Sequence, residues 1–122
     1  MKKIIALLLS IFGSQASAEQ ELHEASMNFD MENVRPFIEK LNTELSLQLK
    51  TGEITKAISQ IPVDSESIFN VEVNYAGKKQ KLILKAYMDD VGAPDLYFLS
   101  PSAELAKSIG STMESFANEH DL

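Results

Sequence analysis

Apolar side chains recur every three or four residues in two segments of the first half of the chain, and this spacing predicts two helices. The first would begin near Asp30 or Asn33, carry Pro36 in its first turn, and run to about Lys50, with Gly52 as its stop. The repeating positions are Val34, Phe37, Ile38, Leu41, Leu45 and Leu49, and then Ile54, Ala57, Ile58 and Ile61.

Two parts of this region allow more than one interpretation. Leu45, Leu47 and Leu49 alternate strictly with polar residues, which is also typical of a strand. The first helix could therefore end near Asn42, with a strand beginning at Glu44. The preceding residues 19–29 are mostly polar and predict either a short helix or a frayed end.

After residue 67 the apolar residues recur at every second position. Alternation of β-branched and aromatic residues predicts strands over residues 68–75, 80–88 and 96–99, joined by a turn at 76–79 and a loop at 89–95. A last helix would follow, capped by Ser100 with Pro101 at its first position and a buried stripe that includes Leu105 and Phe116. Strands joined by tight turns are antiparallel.

The order of these elements defines the fold class. Helices followed by a run of strands predict an α+β domain and not an alternating α/β one. We expect a small antiparallel meander of about three strands packed against about three helices. The exposed edge of such a sheet could pair with another copy, so we also expect a homodimer.

The first eighteen residues have the arrangement of a cleavable export leader. Lys2 and Lys3 precede a nine-residue run, residues 4–12, that is apolar except for Ser10, and Ala16-Ser17-Ala18 offers a cleavage site. A membrane helix would need about 20 apolar residues. We therefore expect residues 1–18 to be removed, leaving one domain, residues 19–122, in the periplasm without a membrane anchor.

The net charge limits the classes of partner that this domain can bind. Loss of Lys2 and Lys3 would change the formal net charge from −7 to −9. Such a protein repels the phosphates of nucleic acids and anionic membranes. It would associate fastest with a basic protein, although net charge can equally serve solubility alone.

Candidate catalytic and cofactor motifs are missing from the sequence. The chain has no cysteine, and its two histidines, His23 and His120, lie near the ends of the mature segment. The serines lie in no nucleophile motif and the glycines form no phosphate-binding loop. We therefore expect no enzymatic activity, no cofactor and no metal.

The loop before the last strand holds the strongest local concentration of charge. Asp89, Asp90 and Asp95 surround Gly92 and Pro94, and Tyr97 follows. Calcium favours clustered oxygen ligands, but this loop lacks the order of a calcium-binding loop. The loop could simply keep the sheet soluble. The hypothesis of most functional interest is that Asp89, Asp90, Asp95 and Tyr97 bind a protein partner, with the tyrosine as anchor.

The whole chain resembles a family of bacterial immunity proteins. The leader MKKIIALLLSIFGSQASA and the stretch ELHEASMNFDMENVRPFIEKLNTEL look like those of periplasmic proteins that protect cells from type VI secretion effectors that cut peptidoglycan. The resemblance implies a dimer that binds the effector in the periplasm and blocks its substrate cleft. The effector it implies is a lysozyme-like domain on a VgrG spike protein.

Two further interpretations stand beside these, the first of them for an inhibitor such as the resemblance implies. The inhibitory element could be the segment Lys50-Thr51-Gly52-Glu53 instead of the acidic loop. The protein could also be a periplasmic binding or accessory module, such as a chaperone for another exported protein.

The leader makes a direct prediction about the purified protein. Intact-mass measurement on protein isolated from the periplasm should give a chain that begins at Glu19. A mass that still includes Met1 would contradict the interpretation of residues 1–18 as a leader.

Overall fold

The computed structural model describes the backbone of residues 5–9 and the whole of residues 21–122. The elements in chain order are β1 (Ile5–Leu9), β2 (Leu22–Asn28), α1 (Met31–Leu45), α2 (Thr51–Ser59), β3 (Glu66–Tyr75), β4 (Lys78–Met88), β5 (Pro94–Ser100) and α3 (Ala103–Glu119). This confirms the α+β class.

The strands form one antiparallel sheet in the order β1-β2-β5-β4-β3. β3, β4 and β5 are the predicted meander, and α3 packs against β2 and β5 while α1 packs against α3 and α2. The sheet is larger than the predicted three strands because β2 and β1 extend it beyond β5. Removal of residues 1–18 would leave four strands, with β2 at an edge.

The prediction of a short helix or frayed end for residues 19–29 is wrong. Ala25 and Met27 are buried on the helix-covered face, and they lie opposite Phe98 and Leu96 of β5. The alternation is hard to detect in the sequence because the intervening positions include Ser26, which is small and also buried. Of residues 1–18 the structure describes the backbone of β1 alone, so the cleavage of a leader stays a prediction.

The first helix is shorter than predicted, and no strand follows it. α1 ends at Leu45, where Ser46 adopts a left-handed conformation (φ 56°) and donates its backbone N–H to Asn42 O. The next residues are irregular, with Leu47 and Leu49 buried. The Asn42 side chain replaces the missing backbone partners of Leu49, since it accepts from Leu49 N (2.7 Å) and donates to Leu49 O (3.0 Å).

Two predicted helix boundaries are also wrong. Gly52 does not stop a helix but lies in the first turn of α2. The N-cap of α3 is Ser102, whose Oγ accepts from Leu105 N at 3.1 Å, and Pro101 precedes the helix. Ser100 instead ends β5, where its Oγ accepts from Ser102 N at 2.9 Å.

Four buried phenylalanines join the two layers of the domain. Phe29 follows β2, Phe37 lies on α1, Phe98 on β5 and Phe116 on α3. The Phe37 ring contacts the other three, with centroid separations of 4.8, 6.0 and 5.5 Å to Phe29, Phe98 and Phe116. These distances fall in the range in which aromatic pairs attract one another beyond simple burial.

Phe37→Ala should therefore lower the free energy of unfolding by about 3–5 kcal/mol, because it leaves a cavity at the point where these elements meet. Phe69→Ala is the matched control, since Phe69 is only half-buried on β3 and should cost clearly less. Urea unfolding followed by circular dichroism measures both. Equal losses would contradict a central role for Phe37.

Candidate protein-binding site

The loop between β4 and β5 is held in shape by Asp89. Its Oδ1 accepts hydrogen bonds from Val91 N (3.0 Å) and Ala93 N (2.8 Å). Gly92 has a φ of +80°, a conformation that glycine adopts without steric cost. This arrangement leaves Asp90 and Val91 exposed at the tip. Asp89 therefore stabilises the loop, and one oxygen of its carboxylate is already hydrogen-bonded within it.

Tyr87, near the end of β4, brings a further carboxylate to this loop. Its hydroxyl donates to Asp64 Oδ1 at 3.0 Å. That hydrogen bond raises the pKa of Tyr87 above its usual value, and burial and the negative charges of Asp64, Asp90 and Asp89 raise it further. Asp64 was not among the predicted site residues, because it is 25 residues earlier than Asp89 in the chain and comes near it only through the pairing of β3 with β4.

Asp95 and Tyr97 lie on the sheet face that the helices leave uncovered. Asp95 is opposite Tyr87 in the β4–β5 register, and its Oδ1 accepts from Asn28 Nδ2 at 2.7 Å. Tyr97 is two residues further along this face. Lys85 lies across from Tyr97, with its Nζ 5.0 Å from the ring centroid, a cation–π contact.

Tyr97 remains protonated over the physiological range. Burial raises the pKa of its hydroxyl, and the charges of Asp95, Glu24 and Glu66 raise it further. The phenol is therefore a neutral donor at the centre of an open face. Such an amphipathic ring is a common anchor in protein interfaces.

Exposed apolar side chains lie beside these carboxylates. Val63 precedes Asp64 and is 52% exposed, while Val91 follows Asp90 and is 80% exposed. Ile68, on the same open face as Tyr97, is 55% exposed. We call the set Val63, Asp64, Asp89, Asp90, Val91 and Asp95 the acidic end. Apolar groups beside charges of one sign are typical of a surface that binds a protein.

The opposite end of the sheet has the opposite charge. The turn between β3 and β4 is followed by Lys78, Lys79 and Lys81, all exposed. Positive charge thus predominates at this end, although Glu72 lies opposite Lys81 in the strand register. The acidic end consequently presents a local negative field stronger than the net charge alone would suggest.

The structure places all four sequence-predicted site residues in the β4–β5 loop and the first half of β5, towards one end of the sheet. Asp90 is exposed and Tyr97 half-buried, whereas Asp89 and Asp95 already accept hydrogen bonds within the chain. The second predicted segment, Lys50-Thr51-Gly52-Glu53, lies at the start of a helix. Lys50 is the N-cap of α2 and the other three residues form its first turn.

Other kinds of site receive no support from the described residues. Within residues 21–122 no three Asp, Glu or His side chains are grouped so that they could hold a metal ion. His120 stacks on Phe116 with centroids 4.0 Å apart, and its Nδ1 lies 3.0 Å from Phe116 O. None of the helices in this part of the chain is long and apolar enough to cross a membrane.

The fold and this surface define the protein as a small α+β domain with an open sheet face and an acidic, partly apolar surface at one end of the sheet. No protein-family model matches the chain, and neither the curated proteins nor the solved structures contain a match.

The contact between Tyr87 and Asp64 predicts a pH effect. Because the folded-state pKa of Tyr87 lies above the ordinary value of 10.0, its contribution to stability is present below pH 10 and is lost as the pH rises through the folded-state pKa. Because the pKa of Tyr97 is raised as well, two tyrosines should ionise late in an alkaline titration of tyrosinate absorbance, and Tyr87→Phe should remove the share of one of them. An unchanged late component would contradict the contact.

Proposed function

We propose that this protein is a periplasmic immunity protein that binds and inhibits a peptidoglycan-degrading type VI effector, and so protects the cell from its siblings. The observation that carries the proposal is the acidic end, where exposed valines lie among carboxylates beside Tyr97. This surface suits a basic protein partner. Location in the periplasm rests on the leader-like residues 1–18.

Electrostatics supports a partner that carries positive charge near its substrate cleft. The acidic end, on a chain of net charge −7, would accelerate association with such a protein. The exposed tip, Asp90 and Val91, projects between β4 and β5 and could enter a concave site. An inhibitor of this kind needs no catalytic group of its own, because it acts by covering the cleft.

Rigidity of the tip supports inhibition further. Asp89 fixes the loop through two hydrogen bonds, and Asp89 N also donates to Ala93 O at 3.3 Å. A preorganised loop loses little conformational entropy on binding, so more of the contact energy appears as affinity. The homodimer implied by the family resemblance is part of the proposal and can be measured by sedimentation.

Deletion of the gene tests the proposal directly. The deletion mutant should be killed by sibling cells that carry an active type VI secretion system, and a plasmid-borne copy of this chain should restore survival. Survival of the mutant without the plasmid would contradict immunity. It would instead favour the alternative of an accessory module for another exported protein.

The surface is tested separately with charge-matched variants. Asp90→Lys and Tyr97→Ala should fail to restore survival, since each removes an element of the interface without breaking the hydrogen bonds of Asp89. Glu114→Lys makes the same charge change on an exposed position of α3 and should restore survival fully. Rescue by Asp90→Lys and Tyr97→Ala would place the interface elsewhere.

A further inference from the structure

The outer edge of β3 carries backbone groups without a strand beside them. β3 is the terminal strand of the sheet and pairs with β4 alone. Ala76 and Gly77 both have positive φ, 55° and 78°, as in a two-residue hairpin turn, so Tyr75 and Lys78 form a hydrogen-bonded pair. Alternation then directs the N–H and C=O groups of Ile68, Asn70 and Glu72 away from β4.

A groove of about 500 Å³ runs beside this edge, between β3 and the start of α2. Its apolar floor comes from both elements, since Phe69 and Val71 of β3 are only half-buried and face Ala57 of α2. An extended peptide added to β3 would place alternate side chains over this floor while its backbone bonded to the strand. Strand addition with side-chain pockets is a known mode of peptide recognition.

Charge distinguishes between possible occupants of the groove. Glu53 and Glu72 line its rim, and neither forms an ion pair within the described part of the chain; Lys50 is the one basic residue of the lining. A second copy would bring together two chains that each carry a net charge of −7. A segment with positive side chains would instead be attracted to both glutamates.

We propose that the edge of β3 and the groove beside α2 bind an extended, basic segment of a partner protein, which adds to the sheet as an antiparallel strand. Its apolar side chains lie on Phe69 and Val71 on the helix side, and its alternate basic side chains meet Glu72 on the opposite face of the sheet. The site shares no residue with the acidic end. It therefore stands or fails independently of the immunity proposal.

The probe is a short fluorescein-labelled peptide that alternates valine and lysine, and binding to the full chain is followed by fluorescence anisotropy. The wild-type protein should bind this peptide. The same peptide with every backbone nitrogen methylated keeps the side chains but cannot donate hydrogen bonds, and should bind about tenfold more weakly or worse. Equal binding of the two peptides would show attraction by charge alone and overturn the proposal.

A pair of variants at Asn70 tests the edge itself. Asn70→Pro removes one outward N–H without removing a hydrogen bond to β4, a substitution that edge strands accommodate. It should weaken binding by about tenfold, whereas Asn70→Ala should stay within about twofold of the wild type. Unchanged binding by Asn70→Pro, with the fold verified by circular dichroism, would overturn the proposal.

Amide hydrogen exchange of the wild-type protein gives a readout that does not depend on a variant folding. Peptide should slow exchange at Ile68, Asn70 and Glu72, and leave Phe69 and Val71 unchanged because these already bond to β4. Uniform or absent protection would overturn strand addition. Sedimentation tests whether a second copy of the chain occupies the edge instead. If the wild-type protein is a dimer and Asn70→Pro dissociates it, a second copy covers this edge.

Discussion

The contact of the Phe37 ring with Phe29, Phe98 and Phe116 is the constraint on which the other features of this domain depend. The four rings come from α1, the end of β2, β5 and α3. They attach the helices to the middle of the sheet through contacts that a chain without disulfides must obtain from packing. Because β5 is held on this side by Phe98, its alternate residues, Asp95 and Tyr97, are directed to the other face.

The same alternation explains why the candidate site is on the open face. Leu84 and Ala86 of β4 are buried under the helices, so Lys85 and Tyr87 must face away from them. Lys85 then contacts the Tyr97 ring, and Tyr87 meets Asp64. The position of every polar contact on this face is thus a consequence of the core pattern on the opposite face.

The sequence predicts well the parts of the fold in which burial follows one clear period. β3, β4, β5 and α3 have regular apolar spacing, and the structure has each of them within a few residues of the predicted bounds. β2 was missed because a small buried Ser26 interrupts its pattern. The residues after Leu45 were misassigned because Leu47 and Leu49 alternate with polar residues as in a strand, although they lie in an irregular segment in which the Asn42 side chain bonds the backbone of Leu49.

The sequence predicts the part of the candidate site whose residues are close together in the chain. It does not predict the part that depends on the pairing of strands. Asp89, Asp90, Asp95 and Tyr97 are close in the chain, so their grouping could be read directly. Asp64 joins them through strand register, which a single sequence does not encode in any short motif. The free edge of β3 likewise follows from sheet order and not from composition.

Separation of charge along the sheet gives the domain two surfaces with different physical roles. The acidic end combines carboxylates with exposed valines, so long-range attraction and short-range apolar contact would act at one place in the proposed complex. The edge of β3 offers backbone hydrogen bonds, which are directional and act only after contact. Attraction to the first surface depends on ionic strength, whereas hydrogen bonding along the second depends on a partner that can extend. The salt dependence of binding would therefore differ between the two surfaces. For a partner that used both, added salt would slow association before it weakened the strand-like hydrogen bonds.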